Sequence, residues 1–237
     1  MHSFRAQIKR DLTIAWRNRQ DVLVMLIFFV IIITLFPLAF GASAAILKPL
    51  AVPIIWIAAL LSILAGFDGL FADDVRDGWL DQISIPVRDA SSGEESLGGV
   101  YQLGLYALAK AAAHWLKTAV PLLLTAPLMA VMLHMPMHQL GAMLAALALG
   151  NGCLTLLGII GAALSQGARR GGGLMALLIL PLAVPVLIFG VMASQPNSGM
   201  FASPHLMLLA ALALLLLALT PPVAALALAE SDGGSGS

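Results

Sequence analysis

Four long stretches of this sequence contain no Asp, Glu, Lys or Arg, and they limit what the chain can fold into. They comprise 26, 19, 51 and 59 residues, at positions 22–47, 49–67, 118–168 and 171–229. A helix needs about 20 apolar residues to cross the hydrocarbon core of a bilayer, so the stretches hold one, one, two and two crossings. Turn-forming residues at 134–138 and 194–199 divide the two longest stretches. The sequence therefore predicts an all-α membrane protein with six transmembrane helices.

The composition excludes several classes of protein. Hydrophobic residues make up 60% of the chain and charged residues only 10%, whereas a soluble domain carries about 25% charged residues. Lys plus Arg and Asp plus Glu number 12 each, so the chain has no basic excess with which to bind nucleic acid. The single cysteine, Cys153, excludes a disulfide framework and a multi-thiolate metal site. We expect no soluble enzyme, no nucleic-acid partner and no metal centre.

The basic residues predict how the chain is oriented in the membrane. Nine of them precede the first crossing or lie in the connections between the second and third and between the fourth and fifth crossings: Arg5, Lys9, Arg10, Arg17, Arg19, Arg76, Arg88, Arg169 and Arg170. The loops on the opposite side contain only Lys48. Because basic loops stay in the cytoplasm, both termini are predicted to be cytoplasmic. We expect one membrane domain over 1–230, and the Gly- and Ser-rich residues 231–237 are typical of a flexible tail or linker.

The residues before the first crossing predict a helix that lies along the membrane surface. Ser3 can cap it, and apolar residues recur at near-helical spacing among basic ones, at Phe4, Ile8, Leu12 and Trp16. Such a helix buries its apolar face at the boundary between headgroups and acyl chains. The alternative is a basic flank that only sets the orientation.

Most of the acidic residues lie between the second and third crossings. Asp73, Asp77 and Asp81 are spaced four residues apart, and Val75, Trp79 and Ile83 repeat the same interval. On a helix this spacing places an acidic stripe beside an apolar one, and Pro86 would end that helix. A short amphipathic helix of this kind is suited to docking into a groove of a partner protein. The alternative is a solvated loop.

The third crossing begins with three ionisable residues. The uncharged part from Thr118 to Leu133 spans about 24 Å as a helix, which is less than a 30 Å hydrocarbon core. The helix should therefore extend back through Lys117, His114 and Lys110, which share one face. One interpretation is that this face lines a polar cleft or a subunit contact. The alternative is that the two lysines only extend to the lipid headgroups.

The sequence lacks the motifs of an enzyme. It contains no G-x-x-x-x-G-K-[ST] loop, no H-E-x-x-H and no G-x-S-x-G. An ion-coupled carrier normally has an acidic residue at mid-membrane, and here only Asp68 lies near the end of a crossing. We therefore expect a non-catalytic subunit that is driven by a partner.

Small residues and prolines recur within the crossings. Ala145, Ala148, Gly150, Gly158, Gly161 and Ala162 give the fourth crossing a surface suited to close helix packing, either within one bundle or between two copies. Pro121, Pro127, Pro181 and Pro185 lie inside the third and fifth crossings, where prolines bend helices.

The turn between the third and fourth crossings contains two histidines. His134 and His138 flank Met135 and Met137 on the predicted outer side. Imidazole and thioether groups are common axial ligands of haem iron, so the pair is a candidate haem contact. The alternative is that these residues only fill the membrane interface.

Six segments, taken in order and at this spacing, resemble the CcmB family of membrane permeases from the haem-exporting ABC system of bacterial cytochrome c maturation. They are TLFPLAFG at 34–41, PIIWIAALL at 53–61, DDVRDG at 73–78, KAAAHWL at 110–116, RRGG at 169–172 and LPLAVPVLIFG at 180–190. The resemblance covers roughly residues 4–229.

The resemblance implies an ABC-2 type permease with six helices, an N-terminal elbow helix and a cytoplasmic coupling helix in the bacterial inner membrane. It implies a separate CcmA-like ATPase that holds ATP and Mg²⁺, a second permease copy, and CcmC-like, CcmD-like and CcmE-like partners. Haem is then cargo, and ATP hydrolysis is tied to release of the haem-loaded CcmE-like chaperone.

Residue by residue, the resemblance places Asp73, Asp74, Asp77 and Gly78 at the ATPase contact, with Trp79 as an apolar anchor and Asp81 beside them. It places Lys110, His114 and Trp115 near the cytoplasmic end of the third crossing. Two other functions remain open at this stage: a stand-alone haem-binding membrane protein that uses His134 and His138, and a gradient-driven secondary transporter.

Overall fold

The computed structural model describes residues 19–67, 93–166, 173–195 and 203–231, and these contain six helices and no strand. The helices are α1 (Arg19–Phe40), α2 (Ala44–Ala65), α3 (Gly93–Met132), α4 (Met137–Gln166), α5 (Gly173–Ala193) and α6 (Pro204–Ser231). Five of the described helices are long and apolar enough to cross a membrane, and α5 contains the shorter apolar stretch Ile179–Ala193. The predicted all-α membrane fold with six helices is confirmed.

Two short turns join consecutive helices into hairpins. Gly41 has a φ of 77°, a left-handed conformation that glycine adopts without strain, and Ser43 then begins α2 by accepting hydrogen bonds from the amides of Ile46 and Leu47. The second turn contains His134, with a φ of 57°. It is shorter than the predicted turn at 134–138, because helix α4 already begins at Met137, after Pro136.

Helix α3 is much longer than a membrane crossing requires. Its 40 residues extend about 60 Å, which is twice the thickness of a hydrocarbon core. The helix passes without interruption through Lys110, His114 and Lys117, so the predicted extension of the third crossing is confirmed. Pro121 and Pro127 lie inside it.

Helix α4 lies at the centre of the bundle. It packs against α2, α3, α5 and α6, whereas α1 packs on α2 and α3 at the periphery. The fully buried side chains of α4 include Met143, Leu154 and Ile159. Large apolar side chains of α1 and α6 are instead exposed, which is the pattern expected where helices face lipid.

The connections define two ends of the bundle. The turns at 41–43 and 133–136 lie at one end, here called the turn side, and the chain leaves α2 and α4 at the opposite end, the loop side. Phe67, which follows α2, lies at the loop side. The predicted surface helix at the N-terminus, the predicted coupling helix and the C-terminal tail all lie outside the described residues.

Candidate functional site

The three ionisable residues of the predicted polar face, Lys110, His114 and Lys117, make different contacts in the structure. Lys117 Nζ lies 3.0 Å from Asp21 Oδ2, which ties the middle of α3 to the first turn of α1. The Lys110 ammonium lies 5.9 Å from the centroid of the Tyr106 ring. His114, between the two lysines, is buried. The two lysines therefore extend in different directions from one buried imidazole.

The His114 imidazole packs against the aromatic ring of Phe67, which follows the end of α2. Its ring centroid lies 5.2 Å from that of Phe67, with an interplanar angle of 27°. Its Nε2 is buried and has no hydrogen-bond partner among the described residues. Buried polar atoms are nearly always paired, and ionisable residues at membrane depth usually serve a function. Among the described side chains, His114 is therefore the strongest candidate for a functional role.

A buried polar seam continues from His114 into the contact between α3 and α4. Thr118 Oγ1 lies 2.9 Å from the His114 carbonyl oxygen and 3.1 Å from Asn151 Oδ1. Thr155 Oγ1 lies 3.2 Å from the same Asn151 oxygen. The Trp115 indole Nε1 donates to the carbonyl oxygen of Ala148 at 3.0 Å. These hydrogen bonds fix the register of α3 on α4 around His114.

Two aromatic side chains, one in α2 and one just after it, fill spaces left by glycines. A Cβ atom added at Gly158 would overlap the Phe67 ring, and one added at Gly150 or Gly190 would overlap the Trp56 indole. Trp56 Nε1 also donates to Ser194 Oγ at 2.9 Å. The small-residue surface of α4 is therefore used, at Gly150 and Gly158, for packing inside the bundle.

The two histidines of the α3–α4 turn are separate from this seam. His134 lies in the turn, His138 lies in the first turn of α4, and both are exposed. His134 is about 30 Å from His114 along the axis of α3. The structure therefore does not combine the two sets of predicted residues into one site.

The predicted ATPase contact cannot be placed. Asp73, Asp74, Asp77, Gly78, Trp79 and Asp81 all lie outside the described residues. Within the described ranges, no group of three or more His, Cys, Asp or Glu side chains could hold a metal ion.

The structure adds four residues that sequence reasoning did not assign to the polar face. Asp21, Phe67, Thr118 and Asn151 reach it from α1, α2, α3 and α4. Asp21 gave a signal in hindsight, since it lies in the first turn of α1 and is the last charged residue before the uncharged stretch 22–47. Phe67 gave none, because one aromatic residue at the end of an apolar run has no distinguishing pattern.

Residues 2–231 of the chain match a family model described as "CcmB protein". A Pseudomonas aeruginosa protein named "Heme exporter protein B" is 40% identical over 231 residues, covering 97% of this chain and 98% of that protein. The chain belongs to the CcmB family. A Bradyrhizobium diazoefficiens protein of the same name is 40% identical, covering 96% of this chain and 98% of its own length. The Haemophilus influenzae protein is 42% identical over 182 residues, or 77% of this chain and 76% of its own.

Membership of the CcmB family agrees with the architecture described above. The predicted resemblance is confirmed, and the family model spans all six described helices. The chain is therefore a multi-pass membrane protein of a bacterial family whose relatives are named "Heme exporter protein B".

The ion pair between α1 and α3 can be tested by exchanging its charges. Asp21→Lys should destabilise the protein by about 1 kcal/mol, because it places two cations together at a partly exposed site. The double variant Asp21→Lys/Lys117→Asp should recover most of this loss in thermal unfolding in detergent. Lys48→Asp, a charge change at an exposed position of α2, is the control. In the double variant Asp21→Lys/Lys48→Asp, the two effects on stability should simply add. Equal coupling to Lys48 and Lys117 would contradict the pair.

The packing of the Trp56 indole against Gly190 predicts that a larger residue at position 190 destabilises the protein. Gly190→Ala should destabilise by about 1–3 kcal/mol, because the new methyl group must displace the indole. Thermal unfolding should show a smaller loss when Trp56→Leu is also present. Gly152→Ala is a matched control on α4, since a Cβ there meets the Trp115 ring only at 3.6 Å, which is ordinary contact. If the Gly190→Ala protein were as stable as the Gly152→Ala protein, the close packing of Trp56 on Gly190 would be wrong.

Proposed function

We propose that this chain is the membrane permease subunit of an ABC-type haem exporter that serves cytochrome c maturation. The observation that carries the proposal is the family match over residues 2–231, together with relatives of nearly equal length named "Heme exporter protein B". The chain is a transport subunit in this proposal, and the ATPase activity resides in a partner. Haem is the cargo of the assembly, and ATP with Mg²⁺ binds to the partner.

In this proposal the loop side of the bundle faces the cytoplasm of a bacterial inner membrane, and both termini lie there. The excess of basic residues in the corresponding parts of the sequence supports this orientation. The acidic segment after α2 is then available to a cytoplasmic CcmA-like ATPase. Asp73, Asp77 and Asp81 supply charge for the contact, and Trp79 supplies an apolar anchor.

The contacts of Phe67 offer a route by which force on that segment would reach the bundle. Phe67 is the last described residue before the segment, and its ring stacks on His114 of α3 while it rests against Gly158 of α4. A rigid ring that fits a close-packed site transmits displacement rather than absorbing it. Movement of the segment would therefore be passed through Phe67 to α3 and α4 together.

The remaining partners follow from the same proposal. A second copy of the permease completes the membrane part, and CcmC-like and CcmD-like membrane proteins join it. ATP hydrolysis then drives release of a haem-loaded, CcmE-like chaperone on the turn side. The family membership supports this set of partners.

Reversing three charges of the acidic segment tests the ATPase contact. Asp73→Lys/Asp74→Lys/Asp77→Lys should reduce co-purification of the ATPase about tenfold or more, because like charges would then face each other across the contact. Nucleotide-dependent release of the chaperone should fall with it, while membrane insertion stays normal.

The matched control reverses three other acids of the same region, Asp89, Glu94 and Glu95, and should retain both activities. If the first variant co-purified with the ATPase and released the chaperone as the wild type does, the docking role would be wrong. Loss of insertion in both variants would instead indicate a role of the acids in topology.

The exposed histidines of the turn side support a second, narrower proposal. His134 and His138 are both accessible, and their imidazoles could ligate haem iron. The purified chain should then show a haem Soret band that disappears in His134→Ala/His138→Ala and persists in His205→Ala. A band of wild-type intensity in the double variant would remove these residues from haem binding.

A further inference from the structure

Contacts between helices fix their relative heights along the bundle. Thr118 faces Asn151 across the α3–α4 contact, and the ion pair with Lys117 places Asp21 at the same height. Helix α1 begins there and runs to the turn side, since it ends at the turn formed by residues 41–43. All of α1 therefore lies on the turn side of this height.

Helix α6 starts near the same height but runs the other way. Cys153 Sγ lies 3.8 Å from the carbonyl oxygen of Leu209, and Gly104 lies against Pro221. Leu209 is thus level with Asn151 and Asp21, and α6 continues from there to the loop side. Measured along the bundle, the centres of α1 and α6 differ by about 27 Å, which is nearly one hydrocarbon thickness.

Helix α5 is likewise displaced toward the loop side relative to α2. Trp56, near the middle of α2, is seated between Gly150 of α4 and Gly190 near the end of α5. Because α5 ends at Ala193, it reaches only to mid-height of α2 and extends from there to the loop side. The displacement is therefore graded across the bundle, from α1 through α2 and α4 to α5 and α6.

Both outer helices nevertheless need lipid along their whole length. Helix α1 exposes Leu23, Ile31, Leu35 and Leu38, and α6 exposes Leu208, Leu217, Leu219 and Leu226. If the bundle stood parallel to the bilayer normal, a core of about 30 Å centred on the shared height would reach only about 15 Å to each side. The last turns of both helices would then leave the hydrocarbon on opposite sides, with exposed leucines in water.

We propose that the bundle lies inclined to the bilayer normal, so that the α1 edge and the α6 edge enter one hydrocarbon layer. The occupant of both exposed faces is the lipid bilayer. Inclination also accounts for the polar face in the middle of α3. It brings the headgroup layer of the loop side up to Asp21 and Lys117 at the α1 edge, so that the ammonium groups of Lys110 and Lys117 lie near water while His114 stays buried.

Depth measurements at four exposed positions test the inclination. Single cysteines at Val24, Ile31, Leu208 and Leu217, in a Cys153→Ala background, would carry a fluorophore in the full chain, reconstituted into phosphatidylcholine–phosphatidylglycerol vesicles. Nitroxides placed near the headgroup or near the end of the acyl chain then quench according to depth. Val24 and Leu208 lie close to the shared height, whereas Ile31 and Leu217 lie at the centres of α1 and α6.

An inclined bundle places Ile31 and Leu217 deepest, so the ratio of deep to shallow quenching should exceed one there and fall below one at Val24 and Leu208. An upright bundle reverses this order and would overturn the proposal. So would a lack of quenching by either nitroxide at Ile31 or Leu217, which would mean that protein covers that face. Polarised infrared spectroscopy of the unlabelled chain is the second measurement: a mean helix tilt at or below the usual value of about 20° contradicts the inclination.

Discussion

The fit of two aromatic rings, from α2 and from the residue that follows its C-cap, into spaces beside glycines of the neighbouring helices is the interaction on which the bundle most depends. Association of helices in lipid gains little from the hydrophobic effect, so close packing and hydrogen bonds have to supply it. Trp56 and Phe67 provide both large contact area and, for the indole, a hydrogen bond to Ser194. Because Gly150 and Gly158 belong to the central helix α4, these two rings anchor the α1–α2 hairpin to everything else.

A polar seam inside this apolar bundle adds specificity to the packing. Helices that are apolar all round can rotate or slide against one another at little cost, and α5 and α6 have almost no polar side to orient them. The hydrogen bond between Thr118 and Asn151 and the bond from Trp115 to Ala148 are satisfied only in one register of α3 on α4. The imidazole of His114 is held at the edge of this rigid part, against Phe67.

Much of the fold could be predicted because hydrocarbon imposes a simple rule on length and charge. The number of helices, the extension of α3 back through Lys110, and the prolines inside α3 and α5 all followed from uncharged runs and turn residues. The axial displacement of α6 could not be predicted, since the length of an apolar run does not state which height its neighbour occupies. The partner of Lys117 also depends on three-dimensional register, which Asp21 alone does not reveal. The predicted coupling residues Asp73, Asp74 and Asp77 remain predictions, because they lie outside the described residues.

The hydroxyl of Ser194 has a mechanical consequence for any rearrangement of the bundle. It accepts the indole proton of Trp56 and donates to the carbonyl oxygen of Gly190 at 2.7 Å, so one side chain closes the last turn of α5 and fastens it to α2. Rotating α5 about its own axis would break the bond to Trp56 where water cannot replace it. The bond between Trp56 and Ser194 therefore couples any movement of α5 to α2.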